Sequence, residues 1–243
     1  MIVVVILLVA GGIGAYALIG SSSPAPSPRA STAVGASTSP SPAQGIVVFS
    51  DDFHDPASGW ETDTLPSGTT FKYTPGGFEI FAKGALHHIA AAPYGRARSK
   101  ISVSTTATQS SPAPDGAGFG VTCDRGTGED EIRYEFIAYA DGTWTIERLD
   151  GPLSATGSPP DVLKQGALSA KPGATPLTVE GICVTQADGA STKLTLLIND
   201  IQVTELTDSA TLTETGWYAE LLVSSDDPPT TVVVTKFEVR TVP

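Results

Sequence analysis

The sequence predicts an all-β domain, a two-sheet jelly-roll sandwich, preceded by one transmembrane helix and a disordered linker. Three observations carry that expectation. From residue 46 onward, period-two runs of Val, Ile, Thr and aromatic residues alternate with clusters of Gly, Pro and Asp, the pattern of short strands joined by turns. Residues 1–19 hold no charged side chain, and residues 20–45 are Ser, Pro, Ala, Thr or Gly at 23 of 26 positions. The 243-residue chain thus divides into an apolar head (1–19), a neutral linker (20–45) and an acidic body (46–243).

The head suits a membrane span. As a helix its 19 residues rise about 28 Å at 1.5 Å each, close to the ~30 Å hydrocarbon thickness. An uncleaved single-pass anchor places the C-terminal body outside the cytoplasm. The alternative is secretion after signal cleavage, because Ala15-Tyr16-Ala17 fits an A-x-A site. Against it, no basic side chain precedes the apolar run, and no lipobox cysteine is present. The linker cannot bury enough apolar surface to offset its ordering entropy. Its prolines favour extended chain, with a reach of at most ~80 Å.

Charge narrows the partners. The net charge is −12. Arg29 is the one charged side chain before residue 46, so the body carries the remaining 13 Lys+Arg against all 26 Asp+Glu, a net of −13. Nucleic acid and anionic membrane surfaces would repel such a body, and neither is expected as a main partner. Three His and two Cys are too few for a zinc framework of soft ligands.

Twelve strands are expected, at residues 46–49, 71–74, 78–81, 100–106, 118–123, 132–139, 143–149, 177–184, 192–198, 201–206, 217–223 and 231–240. Two hairpins can be read closely. Asn199-Asp200 is a two-residue turn that pairs Ile198 with Ile201 and Leu196 with Val203, putting Leu194, Leu196, Ile198, Ile201 and Val203 on one face. A three-residue loop, Ala140-Asp141-Gly142 with Gly142 left-handed, pairs Tyr139 with Thr143 and keeps Tyr134, Phe136, Ala138, Trp144 and Ile146 on one face. Cys123 and Cys183 end or interrupt strands of an exported domain, and a disulfide is the simplest use of two such cysteines.

Asp51-Asp52-Phe53, Ser58-Gly59-Trp60, Gly120-Val121-Thr122-Cys123, Tyr134-Glu135-Phe136, Asp141-Gly142-Thr143-Trp144-Thr145-Ile146, Cys183, Leu196-Leu197-Ile198-Asn199 and Phe237-Glu238-Val239 occur in this order. Together they resemble the concanavalin A-like lectin/glucanase sandwich, including 3-keto-disaccharide hydrolase-like modules of extracytoplasmic bacterial proteins. Asp200 stands where that resemblance leads one to expect Gly. The resemblance implies the fold and an ectodomain placement; members of that superfamily bind sugars, hydrolyse them, or do neither.

Laminarinase-like glucanases of this fold carry a Glu-x-Asp-x-Glu strand, and the nearest segment here is Glu131-Ile132-Arg133-Tyr134-Glu135. By period two, Glu131, Arg133 and Glu135 share a face. Arg133 holds the middle place, and a cation between two carboxylates favours their ionised forms, which does not suit a general acid. The expectation is a solvated outer face of alternating charge, with no catalytic residue. His87 and His88 point to opposite faces of a strand and cannot chelate one ion together. His54 is expected in a surface turn.

No cofactor is expected, except that the loops with Asp51, Asp52 and Asp55, with Asp124, Glu129 and Asp130, and with Asp226 and Asp227 could offer oxygen ligands to a structural calcium. Tyr73, Tyr94, Tyr139 and Tyr218 are the candidates for stacking on sugar rings, while Trp60 and Trp144 are expected in the core. The functional expectation is a membrane-anchored, non-catalytic binding module for cell-envelope carbohydrate. The alternatives are a glycoside-acting enzyme and a purely structural or adhesive ectodomain.

Overall fold

The structure is a computed structural model that describes residues 45–84, 86–95, 98–110, 112–126, 131–151, 160–168, 171–210, 216–225 and 228–243. The expected anchor, and the linker up to residue 44, lie outside the described residues. Among the described residues no helix is long and apolar enough to cross a membrane.

The described residues form strands β1 (Val47–Asp51), β2 (Thr70–Thr74), β3 (Gly77–Ala82), β4 (Leu86–Ala91), β5 (Lys100–Gln109), β6 (Gly118–Arg125) and β7 (Ile132–Tyr139). They continue with β8 (Thr143–Asp150), β9 (Asp161–Ala167), β10 (Leu177–Thr185), β11 (Thr192–Ile198), β12 (Ile201–Asp208), β13 (Tyr218–Ser225) and β14 (Thr230–Thr241). All twelve expected strands are present, and β4 and β9 are additional. Two antiparallel sheets make the sandwich. One runs β12-β11-β10-β5-β14-β3-β2 with β1 on β14; the other runs β4-β13-β6-β7-β8-β9.

Alternation builds the core between them. Val121, Tyr134, Phe136, Ile146 and Leu221 of the smaller sheet meet Ile80, Val103, Val179, Leu194 and Val234 of the larger one, all fully buried. Burying side chains of this size stabilises by about 1.5–3 kcal/mol each. Trp60 and Trp144 are buried as expected. Around Trp60 an aromatic cluster of Phe49, Phe53, Tyr73, Phe78 and Phe237 gathers. Asp51 organises its rim: Trp60 Nε1 donates to its Oδ2 at 2.9 Å and the Phe53 amide to its Oδ1 at 2.7 Å. The Asp51-Asp52-Phe53 motif is therefore structural here.

Cys123 and Cys183 are bonded, with Cα atoms 6.5 Å apart. Cys123 lies on β6 and Cys183 on β10, so the bond staples one sheet to the other across the core.

The loop at Ala140–Gly142 is as expected: Gly142 has φ 90° and Ala138 pairs with Trp144. The other hairpin departs in part. Asn199 and Asp200 take positive φ and Ile198 pairs with Ile201, but Leu196 pairs with Thr204, not Val203, because a bulge intervenes. The extra residue reverses the alternation. Thr204 is buried and Val203 is 37% exposed; Ile201, on the turn side of the bulge and still opposite Ile198, is 68% exposed at the end of the sheet edge.

The smaller sheet is curled. His87 on β4 touches Glu135 on β7 at 2.7 Å, although β13 and β6 lie between those strands. In a flat sheet the two strand axes would stand about 14 Å apart. Only a concave sheet brings the side chains together. Gly118 and Gly120 of β6 make room for this: Phe119 and Val121 face the core, leaving the opposite face of β6 bare at these two places. A Cβ on Gly120 would lie 1.8 Å from the Phe136 carbonyl oxygen, and one on Gly118 would lie 2.6 Å from that of Ala138.

Candidate functional site

The concave face collects side chains that alternate with core residues on β4, β6, β7, β8 and β13. On β7, Tyr134 and Phe136 point into the core, so Arg133, Glu135 and Tyr139 point the other way. The same alternation sends Asp124, Glu147, Tyr218, Glu220 and His87 to that face.

The expectation of a solvated face is overturned. Glu135 is fully buried, Arg133 is 4% exposed, and Asp124 and Glu147 are buried as well. Curvature is the physical reason, because side chains on a concave sheet converge and exclude one another's water. Arg133 also does not bridge Glu131 and Glu135 as the sequence suggested. Its Nε and Nη2 donate to the two Asp124 carboxylate oxygens at 2.7 and 2.8 Å, a bidentate pair. Nη2 also reaches Glu131 at 2.9 Å and Glu220 at 3.4 Å. Glu135 pairs with His87 instead.

The face therefore holds two charge clusters. In the first, burial alone would lower the Arg133 guanidinium, but Asp124, Glu220 and Glu131 outweigh it and hold the group firmly protonated. Burial raises the Glu131 carboxyl, against the pull of Arg133. Burial, then the Asp124 charge and hydrogen bond, push Glu220 up to about 9. The Glu131 shift runs against the expectation that Arg133 favours the ionised form of that carboxyl. In the second cluster, Glu135 and Glu147 are direct partners across β7 and β8. Tyr139 donates its hydroxyl to Glu147 at 3.1 Å. Burial would lower His87, but the Glu135 hydrogen bond and the Glu135 and Glu147 charges raise it.

A pH dependence of stability follows from Glu220. Unfolded, it releases its proton near its ordinary value of 4.5; folded, it keeps it to about 9. Over that range the folded state binds more protons, so this group's contribution is full at low pH and is lost as pH rises. Urea midpoints should fall between pH 5 and pH 8 for the wild type and fall less for Glu220→Gln. Equal slopes would refute the assignment.

The four candidate tyrosines do not form one row. Tyr73 lies in the aromatic cluster, accepting the Trp60 amide and bonding Ser58. Tyr94 packs on Phe49. Tyr139 and Tyr218 share the concave face, near opposite ends of its strands. Tyr218 is 36% exposed and pairs in register with Asp124, beside the Arg133 cluster. His54 is exposed, as expected. Of the suggested calcium ligands, Asp51 is committed to Trp60 and Phe53, and Asp124 to Arg133. Glu129, Asp130, Asp226 and Asp227 lie outside the described residues. Sequence reasoning missed Glu147, Glu220 and the role of His87; alternation on β8 and β13 pointed toward the two carboxylates, and no such signal marked His87 on β4.

No protein-family model and no curated protein matches the chain. Solved structures do. The carbohydrate binding module CBM66 from Bacillus subtilis aligns with TM-score 0.53 and 14% identity over 76% of this chain and 96% of its own. A Bacillus subtilis protein of unknown function with a galectin-like fold aligns at 0.57 and 11%, covering 82% and 97%. A non-specific endo-beta-1,3(4)-glucanase from family GH16 aligns at 0.58 and 11%, covering 83% and 93%. With two antiparallel sheets, a disulfide between them and these likenesses, the chain has the fold of the concanavalin A-like lectin/glucanase β-sandwiches.

Proposed function

We propose that the chain is a membrane-anchored, extracytoplasmic carbohydrate-binding module, with the saccharide held on the concave face at Tyr218, Asp124, Glu131, Arg133 and Glu220. One observation carries the reading. Four ionisable groups are gathered and largely desolvated on a face the core does not need, directly beside a partly exposed tyrosine. Desolvating charges is costly, whereas fixed charged donors and acceptors beside an aromatic face suit a polyhydroxylated ring. The galectin-like and carbohydrate-binding folds of the neighbouring structures support it, as the apolar head and the Ser/Pro/Ala-rich linker support anchoring.

The test uses the full chain extracted from membranes in detergent. Affinity electrophoresis against a panel of neutral and acidic envelope polysaccharides should show retardation by at least one. Tyr218→Ala should weaken that binding by about tenfold, the loss expected for one stacked ring, with little change in melting temperature. Absence of retardation throughout, or undiminished binding by the variant, would refute the module. Recovery of the chain without detergent would refute the anchor.

A glycoside-acting reading has its own observation: Glu220 stays protonated at neutral pH beside Asp124, an arrangement able to donate a proton. Reducing-sugar release from the retained polysaccharide, abolished in Glu220→Gln, would favour it over simple binding.

A further inference from the structure

The second cluster lies on the same face but is built differently. A ring nitrogen of His87, a Glu135 oxygen and a Glu147 oxygen all lie within 4.8 Å of one another. The two carboxylates stand directly opposite on adjacent strands, where like charges destabilise a pair. Both are buried, with Glu135 fully enclosed, so solvent does little to relieve the repulsion. His87 reaches Glu135 only, and Tyr139 gives Glu147 a neutral hydrogen bond. A further observation is independent of that cluster geometry: Glu135 Oε1 is buried with no hydrogen-bond partner. A buried carboxylate oxygen left without a donor is costly.

We propose that His87, Glu135 and Glu147 bind a first-row divalent cation of the zinc class. The donor set decides the class. One imidazole nitrogen with two carboxylates suits zinc, whereas calcium and magnesium take oxygen ligands. A cation neutralises both carboxylates and gives the orphaned oxygen a partner. Tetrahedral donors at ~2.0–2.1 Å stand about 3.3 Å apart, a closure that side-chain torsions on three strands can supply. Tyr139 then acts from outside the ligand set, fixing the Glu147 carboxylate. This is not the Cys/His framework that the composition excluded. It draws on carboxylates from the adjacent strands β7 and β8 and on one histidine from β4, far from them in sequence.

The experiment uses the full chain in detergent, stripped with chelator and titrated with zinc chloride without saccharide, so it is independent of the carbohydrate reading. About one equivalent should bind, raising the melting temperature by about 5–10 °C when zinc exceeds its dissociation constant 100-fold. Cobalt(II) should give the visible absorption of a tetrahedral site. The near-isosteric Glu135→Gln and Glu147→Gln variants, checked for folding by circular dichroism, should weaken zinc binding by about 100-fold or more. Tyr139→Phe, which leaves the ligands intact, should weaken it by about tenfold. Failure of the stripped chain to take up zinc would overturn the proposal. So would equal uptake by the double Gln variant, or a thermal response to calcium in place of zinc.

Discussion

Replacing Arg133 with methionine is expected to destabilise the sandwich by about 3–5 kcal/mol, because removing one partner strands buried charges of the other sign. Arg133 is 4% exposed. It holds Asp124 at 2.7 Å, Glu131 at 2.9 Å and Glu220 at 3.4 Å. Methionine fills much of the same volume, so the loss reports charge and hydrogen bonding more than packing. The unpaired carboxylates then prefer their protonated forms, so the variant's deficit should shrink from pH 8 to pH 5. Urea denaturation at both pH values measures it. A deficit below about 1 kcal/mol, the scale of an exposed pair, would mean that solvent reaches the cluster freely.

Reduction of the Cys123–Cys183 bond is the other large effect. The cysteines are 60 residues apart in sequence, and opening such a loop restores denatured-state entropy worth about 4 kcal/mol. For a domain of about 200 residues this lowers the melting temperature by roughly 8–16 °C. The comparison is between oxidised protein and protein unfolded in the presence of reductant, with Cys123→Ala/Cys183→Ala as the genetic counterpart. Both cysteines are buried in the core, so reduction of the native protein should be slow until the sheets part. Alkylation of both cysteines in protein purified without reductant would refute the bond.

Much of the fold was legible in the sequence because it depends on local alternation. Strands such as β7, β11 and β14 repeat apolar residues at every second place, and the turn at Asn199-Asp200 announces itself by residue type. β9 was not legible: Asp161-Val-Leu-Lys-Gln-Gly-Ala167 is largely exposed and has no apolar side to alternate. β4 was missed because two adjacent histidines and two alanines mask the period in Leu86–Ala91. That omission hid the site, since His87 meets Glu135 only through the curl of a sheet whose intervening strands lie elsewhere in the chain. Alternation correctly placed Glu131, Arg133 and Glu135 on one face. It could not show that the face is enclosed, because enclosure is a property of the whole sheet. The bulge opposite Leu196 is likewise invisible to a period-two reading.

The bulge on β12 also bears on how neighbouring copies behave when crowded. β12 ends the larger sheet, and an open edge with Ile201 and Val203 outward would invite strand addition from another chain. The irregular register at Leu196/Leu197 and the exposed Lys193–Glu205 ion pair interrupt that edge. A straight incoming strand cannot satisfy a kinked ladder without leaving donors unpaired and displacing the ion pair. Molecules packed side by side are thereby hindered from fusing through this edge into continuous sheets.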